Sequence, residues 1–80
     1  MKKKAKLDID HEMGRLSKRI KDLRIKAGYT SYEYFAYEHE ISRTQYARYE
    51  QGKDLRYRTL LKIIAAHNMT VEEFFSEGFE

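Results

Sequence analysis

Three features of the sequence predict an all-α fold of five helices. Apolar residues recur at three- and four-residue spacing through most of the chain, which gathers them on one face of a helix. Thr30, Ser42 and Thr70 each stand three residues before Glu33, Gln45 and Glu73. A hydroxyl followed at that distance by Glu or Gln satisfies two orphan amides of a helix start reciprocally. No segment alternates apolar and polar residues as a half-buried strand does. The 80 residues make one domain. A domain of this size buries roughly 60% of the surface its unfolded chain exposes, so all the helices share one compact core.

Residues 1–8 lack apolar periodicity and read as a flexible basic tail with Lys2, Lys3, Lys4 and Lys6; residues 9–80 form the folded domain. The tail either solubilises the chain or reaches phosphates or a minor groove. The first helix starts at about Ile9 or His11 and runs to Ala27. Its buried stripe is Met13, Leu16, Ile20, Leu23 and Ala27, with Lys18, Arg19, Lys21 and Lys26 in water. Gly28 ends it in the left-handed conformation, and Tyr29 packs back on its last turn. Thr30, or alternatively Ser31, caps the second helix. Phe35 and Ala36 face inward, while Tyr32, Tyr34 and Tyr37 can bury a ring and keep the hydroxyl wet. A tight turn, HEIS, follows, plugged by Ile41. The third helix runs from Arg43 to about Gln51 and Gly52 ends it. The fourth, about Tyr57 to His67, is apolar over a wide arc (Leu60, Leu61, Ile63, Ile64, Ala65) and is the central core helix, stopped at Asn68. Thr70 caps a short fifth helix whose Val71, Phe74 and Phe75 are buried.

The net charge of +3 is unevenly spread. Residues 1–28 hold ten Lys/Arg against four Asp/Glu, and residues 42–62 hold six against two. Residues 70–80 carry four Glu and no base. Two basic regions suit a polyanionic partner, set against an ordinary solvated surface. Other classes find no support. Cysteine is absent, which removes disulfides and Cys-based zinc sites. No apolar run approaches the ~20 residues of a membrane span, and no apolar segment of secretory type follows MKKKAK. A cytoplasmic protein with no membrane contact is the expectation. His11, His39 and His67 lack the close spacing of metal ligands. There is no Gly-rich phosphate loop and no nucleophile in a catalytic motif. Neither an enzyme nor a cofactor, metal or small-molecule ligand is expected.

The stretch from Ser31 to Glu50 carries the chemistry. The third helix puts Arg43, Thr44, Ala47 and Arg48 on one face and Tyr46 and Tyr49 on the opposite face. A short helix that is basic outside and apolar inside suits the major groove of double-stranded DNA. Arg holds guanine O6 and N7 bidentately, Thr bonds a base or touches a thymine methyl, and Ala allows close approach. The competing reading leaves both arginines in solvent or on phosphate only. Lys53, Arg56 and Arg58 flank the start of the fourth helix and suit phosphate. The many Tyr residues also suit a stacking platform for single strands, but helical spacing explains Tyr46 and Tyr49 better as core.

The segment GRLSKRIKDLRIKAGYTSYEYFAYEHEISRTQYARYEQGK, with TLLKIIAAHNMTVEEFF after it, resembles the Cro/phage-repressor type of helix-turn-helix domain, the XRE-like group. The resemblance covers about residues 14–75. Its most specific pieces are Phe35-Ala36, Ile41-Ser42-Arg43, Tyr49 through Lys53, and Thr59 through Ile63. It implies a compact five-helix bundle of the lambda-repressor-like DNA-binding type, with the helix-turn-helix formed by helices 2 and 3. Arg43, Thr44, Ala47 and Arg48 are then base-contacting, and Tyr32, Gln45, Lys53, Arg56 and Arg58 phosphate-contacting. Tyr32 stands where the family usually has Gln. Arg24 and Glu50 match the family's structural ion pair. The chain departs from the pattern at Glu40, where the turn commonly has Gly, and at His39, usually aliphatic. One residue is added around Thr30–Ser31 and one lost around Leu55–Tyr57.

The resemblance implies a sequence-specific transcriptional regulator, read as a repressor, bound as a homodimer to a two-fold operator, with Phe79 a candidate for the contact between copies. The alternative is a protein-interaction module, such as an antitoxin-like partner of a toxin.

Overall fold

Every helix but one begins on a side-chain cap in the computed structural model, which describes residues 6–79. The elements are α1 (Ile9–Lys26), α2 (Tyr32–Glu38), α3 (Arg43–Glu50), α4 (Tyr57–Ala66) and α5 (Val71–Phe75), with no strand among the described residues. The all-α, five-helix expectation is met. Asp8 caps α1 by accepting from the His11 amide at 3.1 Å. Ser31, not Thr30, caps α2, accepting from the Glu33 and Tyr34 amides. Ser42 caps α3, but Gln45 does not close the box, because its Oε1 accepts from the Tyr49 hydroxyl at 3.1 Å instead. Thr70 and Glu73 form both halves of a capping box on α5. Arg56 precedes α4 without a side-chain cap. Lys2, Lys3 and Lys4 of the expected basic tail lie outside the described residues.

The first four helices stop in one way. A left-handed residue follows the C-cap, its amide bonds the carbonyl three back, and the next amide bonds the carbonyl five back. The left-handed residues are Gly28, Glu40, Gly52 and Asn68, with φ of 97°, 57°, 90° and 61°. The five-back bonds are Tyr29 to Arg24, Ile41 to Ala36, Lys53 to Arg48 and Met69 to Ile64, at 2.8–3.3 Å. Three of the four positions hold Gly or Asn, which adopt this conformation readily, whereas a side chain such as that of Glu costs roughly 1–2 kcal/mol there. Glu40→Gly is therefore expected to stabilise the domain by about 1 kcal/mol, and Gly52→Ala to destabilise it by a similar amount. Urea unfolding of the two variants measures both, and a destabilised Glu40→Gly would contradict this account of the turn.

The core is built on rings. Phe35 is fully buried, with Tyr46 at 5.2 Å, Tyr29 at 5.1 Å, His39 at 4.5 Å and His67 stacked on it at 5.0 Å between centroids. Ile20, Leu23, Leu60, Ile63, Ile64 and Phe74 complete it. The stripe of α1 is buried only where it meets the bundle. Ile20 and Leu23 are buried, Met13 and Leu16 are half-buried, and Ala27 is exposed. On α4, Leu61 and Ala65 face outward, and on α5 Phe75 is exposed.

Arg19, expected in water, is buried. Its Nε donates to the Phe74 carbonyl at 2.8 Å and its Nη2 to the Glu73 carbonyl at 3.2 Å, with Glu77 at 3.4 Å. These carbonyls belong to the last turn of α5, and that of Glu73 also accepts from the Ser76 amide at 3.2 Å and the Ser76 hydroxyl at 2.7 Å. Arg19 lies three residues after Leu16 and four before Leu23, so its position on the stripe, rather than its residue type, foretold burial. Arg15 acts beside it, with Nε on the Gly78 carbonyl and its guanidinium 5.1 Å over the Phe79 ring. Two α1 arginines thus clamp the end of the chain to the bundle.

Candidate nucleic-acid interface

The outward face of α3 depends first on how the helix is seated. Its inner face is Tyr46, fully buried, and Tyr49, 8% exposed. Its C-terminal end is tied to α1 by a bidentate pair. Arg24 Nε donates to Glu50 Oε2 at 3.0 Å and Nη2 to Oε1 at 2.8 Å, while Nη1 donates to the Tyr29 carbonyl at 2.9 Å. Both side chains are below 10% exposure. The bonded carboxylate holds the Arg24 pKa above its ordinary value, against the opposing effect of burial. The Tyr46 hydroxyl lies beside this pair without a hydrogen bond of ordinary geometry. Burial first, and Glu50 second, push its phenol well above the usual range. With both oxygens taken by Arg24, Glu50 presents no free carboxylate at the end of α3.

With Tyr46 and Tyr49 inward, the opposite face of α3 carries Arg43, Thr44 and Arg48, all exposed, and Ala47, half-buried between them. A cleft of about 650 Å³ runs along one side of this face, walled by Thr44, Gln45 and Arg48 on α3 and by Asp54, Arg56 and Thr59 beyond it. The cleft therefore gathers four of the expected contact residues, Thr44, Gln45, Arg48 and Arg56. Arg43 and Ala47 share the helix but do not line the cleft. Lys53 is exposed on the connection, and Arg58 borders a separate depression with Leu61 and Lys62. Tyr32 sits at the first position of α2, half-buried, packed against the core. Gln45 is held by the Tyr49 hydroxyl through its oxygen, which leaves its amide N–H groups to donate outward.

Two residues of this region carry no signal in helical spacing. Asp54 brings a carboxylate into the cleft, and its Oδ1 accepts from the Leu55 amide at 3.0 Å. Lys62 donates to the Glu40 carbonyl at 3.1 Å and so reaches from α4 to the turn before α3.

The partnering of the arginines divides the molecule. Arg15, Arg19 and Arg24 of α1 are each bonded to carboxylate or carbonyl oxygens. Among the described residues, none forms an ion pair with Arg43, Arg48, Lys53, Arg56 or Arg58. A helix-turn-helix family model matches residues 20–74, which takes in α2, α3 and α4 whole. The chain belongs to the helix-turn-helix family. No curated protein and no solved structure matches it. The domain is of the Cro/phage-repressor, XRE type, and the protein is a DNA-binding helix-turn-helix regulator. The family is a DNA-binding one rather than an enzymatic one. Among the described residues no His, Cys, Asp and Glu group could hold a metal ion, and no helix is long and apolar enough to cross a membrane. The first three turns of α1, with the Arg15 and Arg19 clamp, lie outside the helix-turn-helix match.

Proposed function

We propose that the protein is a sequence-specific transcriptional repressor that lays α3 in the major groove and binds a two-fold operator as a homodimer in the cytoplasm. The observation that carries this reading is the contrast in arginine partnering. The α1 arginines are spent on the fold, whereas those of α3 and the start of α4 are exposed and have no ion-pair partner among the described residues. Arg43 and Arg48 read base edges, with Thr44 and Ala47 shaping the fit between them. Tyr32, Gln45, Lys53, Arg56 and Arg58 hold the backbone and set the register. Repression follows from occupancy of an operator that overlaps a promoter. Phe79 serves the fold, since it packs against the core with its ring 4.8 Å from Phe75. Phe75, 38% exposed, is the apolar side chain of that end open to a second copy.

Binding to a preferred and to a random duplex over a series of salt concentrations tests the two roles separately. Arg43→Ala and Arg48→Ala are each expected to cost about 1–3 kcal/mol on the preferred duplex and much less on the random one. Lys53→Ala, Arg56→Ala and Arg58→Ala should weaken both duplexes alike and each lower the salt slope by about one. Equal weakening of both duplexes by the α3 variants would contradict base reading.

A further inference from the structure

We propose that Lys62 is a positioning residue of the DNA-binding surface: its ammonium holds the Glu40 carbonyl and so fixes the turn that aims α3. The inference rests on the reading of α3 as the sequence reader. Four helices stop on a left-handed residue. Three of these stops are occupied by Gly28, Gly52 and Asn68, and the fourth, by Glu40, lies between the two helices of the DNA-binding unit. The strained residue thus occupies the one stop whose geometry sets the angle between α2 and α3. Strain of this kind persists only where the surroundings over-determine the conformation. The backbone supplies two bonds, Ile41 to the Ala36 carbonyl at 2.8 Å and Glu40 to the Tyr37 carbonyl at 3.3 Å.

Lys62 supplies a third. Its Nζ lies 3.1 Å from the Glu40 oxygen, twenty-two residues away in sequence. The donor is charged, which strengthens the bond relative to a neutral one. The base it reaches from is rigid, because its neighbours Leu60, Ile63 and Ile64 are buried in the core. The hydrogen bond therefore references the turn to α4. Losing it leaves a strained residue free to relax, and a relaxed turn lets α3 pivot. Misaim of the reading helix weakens base contacts more than phosphate contacts, since base contacts demand the tighter geometry.

The test compares wild type, Lys62→Met, Glu40→Gly and the double variant on preferred and random duplexes across salt concentrations. Methionine keeps most of the aliphatic stem and removes the donor. Lys62→Met is expected to weaken the preferred duplex roughly three- to tenfold without changing the salt slope. The double variant should regain most of that loss, because glycine holds the left-handed turn unaided. A slope lowered by about one in Lys62→Met would mean that Lys62 touches a phosphate directly and would overturn the proposal, as would failure of Glu40→Gly to rescue. A DNA-free readout separates this inference from the reading beneath it. Amide exchange of Ile41 should quicken roughly three- to tenfold in Lys62→Met and return towards wild type in the double variant. Unchanged exchange would overturn the latch. Altered exchange in a protein that prefers no duplex sequence would leave the latch standing and remove the base-reading proposal instead.

Discussion

Glu50→Ala is expected to destabilise the domain by about 3–5 kcal/mol, the cost of leaving one member of a buried ion pair without its partner. Native domains hold only about 5–15 kcal/mol in total, so the variant should be largely or partly unfolded at room temperature. The effect is large because the Arg24 guanidinium is buried and its Nε and Nη2 both end on Glu50. Without the carboxylate, a positive charge stays in the core beside the fully buried Tyr46 ring. Arg24→Met/Glu50→Leu should recover most of the loss, since well-packed apolar residues replace buried pairs at little net cost. Urea unfolding of the three proteins measures this. A Glu50→Ala loss below about 1 kcal/mol, the range of exposed pairs, would show that the pair is solvated in solution. The pair also bears on the proposed function, because it joins α1 to the last residue of α3, the helix proposed to read DNA.

Phe35→Ala is expected to cost about 3–5 kcal/mol, as large-to-small changes at fully buried aromatic sites do. Phe35 is the hub where α2 meets the rest of the domain. Tyr46 comes from α3, Tyr29 from the α1–α2 connection, and His67 from the end of α4. The ring's removal leaves a cavity that three separate elements would have to move to close. The stacked His67 feels the same burial, which lowers its pKa below the ordinary value. Thermal unfolding of Phe35→Ala against wild type measures the loss. A loss no greater than that of a surface substitution, about 0.5 kcal/mol, would mean that the hub is not packed as described.

Helix positions are legible in this sequence because local chemistry sets them. Caps at Ser42 and Thr70, a stop at Gly52, and apolar spacing in Leu60, Ile63 and Ile64 all point the same way, and each acts over a few residues. Ser31 displaces Thr30 as cap by a shift of one residue, which spacing alone does not resolve. The burial of Arg19 is legible in its position on the α1 stripe, but its partners are not, because they are carbonyls fifty-four and fifty-five residues further on that no local pattern announces. The partner of Gln45 is hidden similarly, since Tyr49 competes for the oxygen that a capping box would use. The Lys62 bond and the Asp54 carboxylate depend on how the α3–α4 connection folds back. The arginines of α3 are legible as an outward face, whereas their lack of ion-pair partners among the described residues emerges only from the fold.

Selection from a random duplex DNA pool at near-physiological salt tests the central claim most directly, with wild type and Arg43→Ala/Arg48→Ala run side by side. The account predicts an enriched inverted repeat for wild type, lost in the double variant while its helical content is unchanged. No enrichment by wild type, with binding that fades steeply as salt rises, would reduce the interaction to phosphate attraction and contradict the claim that α3 reads sequence.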